Sequence, residues 1–121
     1  YCIKMIQSLV NFYPCLDIEQ TTSFYLDVIG LKLHQDQGTA RIFDTGYGYL
    51  GFCEYDDHIL ATKTCISFNL SSKEEVDHYY RLMKEKQVKL LSEPSLHDQY
   101  QVYSFFIEDV NGYKVEFQKI G

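Results

Sequence analysis

The sequence predicts an α+β fold of two βαβββ repeats, about 8–56 and 64–120 within one domain spanning 1–121. The repeats form a curved mixed sheet around a cleft, with the helices on the outer face. Three observations predict this. Two stretches have apolar residues at helical spacing, and each follows a capping signature. One strand-like run precedes each stretch, and three follow it. The order of elements is therefore the same in both halves.

In the first half, SLVNFYPCL is rich in β-branched, aromatic and apolar residues and reads as a strand. Pro14 donates no ladder hydrogen bond, so it belongs near the strand end or on an edge. Asp17 and Gln20 make a capping box, and Ile18, Thr22, Tyr25 and Ile29 share one helical face. Gly30 suits the left-handed residue that ends a helix. LKLHQ, ARIFDT and YLGFCEY follow as strands, with turns at Gly38 and at Gly46 and Gly48.

The second half repeats the order. TCISFNL reads as a strand and SSKEEVDHYYRLMKEKQ as a helix capped by Ser72 with Glu75. Val76, Tyr79, Tyr80 and Met83 line its apolar face. VKLLSE, VYSFFIE and YKVEFQKI are the closing strands, the last two joined by an Asn111-Gly112 turn. YDDHILAT connects the halves. A βαβββ unit covers one sheet face with its helix, so two units side by side turn their bare faces toward a shared cleft.

Composition narrows the function classes. The 121 residues carry a net charge of −6 and no run of Lys or Arg, which argues against nucleic-acid or anionic-membrane partners. No stretch approaches the ~20 apolar residues of a membrane span. The opening YCIKMIQSLV lacks a signal peptide's basic start and long apolar middle. Met5 is either an internal start or an ordinary residue. Cys2, Cys15, Cys53 and Cys65 form no C-x-x-C pair, so they read as buried thiols in a reducing cytosol. A cytoplasmic location is expected.

Two segments carry a resemblance. DIEQTTSFYLDVIGLKL has an acidic residue, a small hydroxyl residue, Phe-Tyr and then a step through Gly, at Asp17, Thr21, Phe24, Tyr25 and Ile29-Gly30-Leu31. FFIEDVNGYKVEF resembles a strand, a tight turn and a final strand ending in a ligating Glu, with Val110 replacing the usual Pro. With the repeated element order, the chain resembles the vicinal oxygen chelate superfamily, which includes glyoxalase I, bleomycin-resistance proteins, fosfomycin-resistance enzymes and extradiol dioxygenases. The resemblance implies one His, Gln or Glu ligand on the first and last strand of each half, around a divalent metal. Carried over, those positions fall at Val10, Gly51, Cys65 and Glu116. Only Glu116 keeps its ligand, and Cys65 is a soft substitute. No metal cofactor is therefore expected; nickel, zinc, manganese or iron is the alternative. The resemblance also implies a homodimer.

Strand alternation names the rest of the site. Ser67 shares the facing of Cys65. Tyr47, Tyr49 and Gly51 share another face, and Phe105 is expected in the cleft. Arg41 is a candidate partner for Glu116. The ligand-binding set is thus Glu116, Cys65, Ser67, Tyr49, Tyr47, Arg41 and Phe105. The bland alternatives are a solvated Glu116, an inert Cys65 and aromatics that fill the cleft as core. His58 and His78 read as surface, and His34 and His97 as exposed or at the cleft mouth. No catalytic residue can be named. Two function classes follow: a metal-free small-molecule binder akin to bleomycin-resistance proteins, and a glyoxalase-type metal-dependent lyase, isomerase, transferase or dioxygenase. A structural remnant with a filled cleft is a weaker third.

Overall fold

The structure is a computed structural model and describes residues 5–121, so Cys2 lies outside it. The chain divides into two compact units, Tyr1–Ala61 and Thr62–Gly121. Each has its own mixed sheet.

The first unit runs β1 (Val10–Cys15), α1 (Ile18–Ser23), a π-helical stretch (Phe24–Ile29), β2 (Lys32–Asp36), β3 (Ala40–Asp44) and β4 (Tyr49–Glu54). Its sheet order is β1-β4-β3-β2. β1 pairs with β4 in parallel and the other pairs are antiparallel. Two carboxylates start α1. Asp17 accepts from the Gln20 N–H at 2.9 Å, and Glu54 accepts from the Ile18 N–H at 2.8 Å. The helix differs from the single α-helix expected over 17–30, because its second half widens to π geometry. Thr22 donates to the Ile18 carbonyl at 2.6 Å just before the widening, a bond that bends helices. The wider turn leaves Phe24, Tyr25 and Ile29 all buried. Gly30, at φ 93, closes it in the left-handed region. The core is aromatic: the Tyr25 ring lies 4.6 Å from that of Phe52 and 6.0 Å from that of Phe43.

The second unit runs β5 (Cys65–Asn69), α2 (Lys73–Glu85), β6 (Lys89–Leu90), β7 (Ser95–His97), β8 (Val102–Glu108) and β9 (Lys114–Ile120). Its sheet order is β5-β9-β8-β6, with β7 also paired to β8. Again the first strand pairs with the last in parallel. Ser72 caps α2 by accepting from the Glu75 N–H at 3.1 Å, and Glu75 accepts from the Ser71 N–H at 2.9 Å. Under α2, whose Val76 and Met83 are buried, lie Phe105 and Phe117, stacked at 5.3 Å, with Ile107 and Val115.

The second strand of this half is short: VKLLSE was expected as a strand, but only Lys89–Leu90 pairs as one, and β7 follows at Ser95–His97 within the stretch expected as a loop. At the break the N–H groups of Leu91 and Ser92 both donate to the Phe106 carbonyl, at 2.8 and 3.3 Å. The Phe106 N–H turns to the Ser92 hydroxyl at 3.0 Å. Pro94 has no N–H to offer, so pairing resumes only at Ser95. Among the described residues no helix is long and apolar enough to cross a membrane.

Candidate functional site

Each unit covers one sheet face with its helix. The other face is where a site could lie. The two parallel strand pairs set equivalent positions on that face. In the first unit Val10 pairs with Tyr49 and Phe12 with Gly51. In the second, Cys65 pairs with Lys114 and Ser67 with Glu116. Val10 thus corresponds to Cys65, Phe12 to Ser67, and Gly51 to Glu116.

The second unit's face is polar. Ser67 donates to Glu116 Oε1 at 2.7 Å, and the Cys65 thiol lies 3.4 Å from the Ser67 hydroxyl. One step along, Gln118 donates to Asn69 Oδ1 at 2.8 Å. Phe106 is the register partner of Glu116 on β8. The Lys114 ammonium sits 4.3 Å from the centre of the Phe106 ring. Cys65 is exposed, so it is not the buried thiol expected. Cys15 is buried, and burial pushes its thiol up to about 11 despite a hydrogen bond with Thr21.

The first unit's face is apolar. Phe12 lies across Gly51: a Cβ added there would meet Phe12 Cδ1 at 2.5 Å. Glycine at 51 is what lets the ring lie flat against the strand. Beyond it the Tyr49 ring packs 4.4 Å from that of His34.

Three expected site residues lie elsewhere. Phe105 is fully buried on the helix side, its ring 5.3 Å from that of Tyr80 on α2. The register explains this, because Tyr103 shares its face and donates to Asp77 of α2 at 2.6 Å. Arg41 also faces the helix side. It binds Glu19 at 2.7 Å, Asp36 at 2.9 Å and Thr22 at 3.1 Å, and so is committed within its own unit rather than to Glu116. The Gly38 N–H, and then Arg41, hold the Asp36 carboxyl below its ordinary range. Tyr47 is fully exposed in the turn before β4 and does not share the strand alternation of Tyr49. Sequence reasoning passed over Phe12 and Phe106. The first was within reach: alternation in VNFYPC sets Phe12 on the face of Val10, beside Gly51.

The Glyoxalase/Bleomycin resistance protein/Dioxygenase superfamily model matches residues 6–117. The chain belongs to this superfamily. Solved structures similar to this one agree over nearly the whole chain. A lactoylglutathione lyase from Agrobacterium tumefaciens superposes with a TM-score of 0.79 at 19% identity, covering 96% of this chain and 96% of that one. A family enzyme from Burkholderia phytofirmans PsJN gives 0.80 at 18%, covering 93% and 97%. The hypothetical protein SA1046 from S. aureus gives 0.76 at 22%, covering 96% and 95%. At these identities the likeness is one of fold. No curated protein matches the chain.

The residues present do not fit the divalent metal that the superfamily resemblance implies. Among the described residues no group of three or more His, Cys, Asp or Glu is placed to hold an ion. Val10 has no donor atom, and a donor side chain at 51 would run into Phe12. That leaves Glu116, hydrogen-bonded to Ser67, with the Cys65 sulfur beyond it.

Proposed function

We propose that the protein binds a small organic molecule on the helix-free face of a sheet and does so without a metal ion. The observation that carries this reading is the Phe12 ring lying across Gly51. An apolar contact stands where the resemblance puts a ligating side chain. Each face by itself retains chemistry that a ligand can use: in the first unit an aromatic surface at Phe12, Tyr49 and His34, and in the second a hydroxyl and carboxylate at Ser67 and Glu116. The superfamily includes proteins described as bleomycin-resistance proteins, which matches a binding role. The competing reading, a metal-dependent lyase, isomerase or dioxygenase, rests on the retained Glu116 and on relatives such as the lactoylglutathione lyase.

Metal analysis of protein purified without chelator separates the two readings. Substoichiometric nickel, zinc, manganese and iron, unchanged in Glu116→Gln, is the expected result. One equivalent of metal that is lost in Glu116→Gln would overturn the proposal. A small-molecule thermal-shift screen then finds the ligand class; Phe12→Ala should weaken hits held on the first sheet's face, and Ser67→Ala those held on the second's. Among the described residues Cys15, Cys53 and Cys65 are free thiols, which suits a reducing compartment such as the cytosol. A homodimer, as the resemblance implies, would show as a two-chain mass in sedimentation velocity.

A further inference from the structure

A row of polar side chains crosses the helix-free face of the second sheet. Strand register sets Asn69 on β5 opposite Gln118 on β9, Gln118 opposite Ser104 on β8, and Ser104 opposite Ser95 on β7. Register partners stand on the same side of a sheet, so the four share one face. It is the face away from α2, because Tyr103 and Phe105, the chain neighbours of Ser104, reach α2 at Asp77 and Tyr80. None of the four is charged. Glu116, the next residue of β9 on this face, is engaged by Ser67.

The middle of the row holds an unmet hydrogen bond. Ser104 is 1% exposed, and its hydroxyl has no hydrogen-bond partner among the described residues. Buried hydroxyls are normally satisfied, so one left over marks a place for a polar atom from outside the chain. Gln118 shows why it is left over. Its amide nitrogen turns to Asn69 Oδ1 at 2.8 Å, on the side away from Ser104. The carbonyl oxygen at the other corner of that amide remains as an acceptor. A donor, the Ser104 hydroxyl, and an acceptor, Gln118 Oε1, thus belong to facing residues without bonding each other.

A group that bridges them needs an acceptor and a donor side by side. An amide in the cis arrangement has both, its C=O and N–H lying along one edge. A carboxylate offers acceptors only and finds no donor for itself at Gln118 Oε1. An ammonium offers donors only and leaves the Ser104 proton unused. We propose that this row binds the cis-amide edge of a neutral ligand, a primary carboxamide, lactam or urea, whose carbonyl accepts from Ser104 and whose N–H donates to Gln118 Oε1. Val102 and Phe106, half-buried on either side of Ser104 along β8, supply apolar surface for the rest of the molecule. The proposal rests on the reading that a helix-free face receives the ligand, and it names the chemistry that the second sheet selects.

The test titrates isotope-labelled protein with δ-valerolactam and follows the side-chain amide signals of Gln118 and Asn69 by NMR. N-methyl-δ-valerolactam, which keeps the carbonyl and lacks the N–H, is the comparison. The lactam is expected to shift both signals to saturation. Its affinity should fall about tenfold on N-methylation and about tenfold in Ser104→Ala, each the upper worth of one hydrogen bond. The urea midpoint of Ser104→Ala should be unchanged or raised, because the substitution removes a buried polar group that lacks a partner. Unaltered lactam affinity in Ser104→Ala overturns the proposal, and a lowered midpoint beside it would show that a bound water already satisfies the hydroxyl. A lactam that shifts neither signal, or that binds equally well when N-methylated, overturns it too. Thermal-shift hits that leave the Gln118 and Asn69 signals unmoved would uphold the wider binding reading while this proposal falls, so the two fail separately.

Discussion

The Phe12 ring lies against the backbone of Gly51, closer than any side chain at residue 51 would allow. Both residues occupy the face of the first sheet opposite its helix, as a register pair between β1 and β4. The contact makes a Cβ at residue 51 displace the Phe12 ring, a cost that has nothing to do with backbone angle. It also ties one candidate ligand position to the identity of another residue.

Gly51→Ala is therefore expected to destabilise the protein by about 1 kcal/mol, the low end for overpacking, because Phe12 is 48% exposed and its ring can swing outward. Phe12→Ala in the same chain should remove that cost. Urea denaturation of the two single variants and the double variant measures the coupling. Additive effects would show that the ring does not rest on Gly51 in solution.

Phe105→Ala is expected to cost about 3–5 kcal/mol, since it empties a fully buried aromatic position under α2. Phe105→Leu should keep most of the stability and leave affinity for any screening hit unchanged. A selective loss of affinity in folded Phe105→Leu would return this residue to the binding face.

The start of α1 depends on two carboxylates from different elements. Asp17→Ala is expected to cost about 1 kcal/mol, the usual value of an N-cap side chain. Glu54→Gln keeps an oxygen for the Ile18 N–H and should cost less than Glu54→Ala. Chemical denaturation checks the order; equal losses for the two Glu54 variants would mean that the bond contributes nothing.

The thiol of Cys15 sets an alkaline limit. Its pKa is raised by burial from 9.0 to about 11, so the folded state favours the protonated form. That contribution is complete below pH 9.0 and declines as pH rises toward about 11. Stability measured from pH 8 to 10.5 should fall less steeply in Cys15→Ala than in the wild type. Parallel slopes would refute the assignment.

Much of the fold was legible because local rules agreed with one another. Asp17 and Ser72 announced both helices, and their side chains do cap them. Gly30 announced the end of the first helix and has the left-handed φ required there. Position along a strand was harder to read. In VYSFFIE two adjacent phenylalanines offer both faces, and the tie is broken only by the bond from Tyr103 to Asp77 across the unit. Arg41 was misassigned because a charged residue suggests a polar face, whereas alternation sets it with Phe43 beside the helix. The π-helical stretch and the break between β6 and β7 were invisible for a related reason. At each a side-chain hydroxyl, Thr22 or Ser92, takes a backbone partner, and at the second Pro94 adds a missing N–H.

The outer strands of the first sheet carry one more consequence. β1 places Pro14, which has no N–H, in an edge position. At the opposite edge, β2 is exposed throughout, is interrupted between Leu33 and Gln35, and has Lys32 and Asp36 at its ends. Neither rim offers an unbroken ladder to a stray strand, so this unit is guarded against fibril templating even with Leu9, Phe12, Leu16 and Leu33 at its surface.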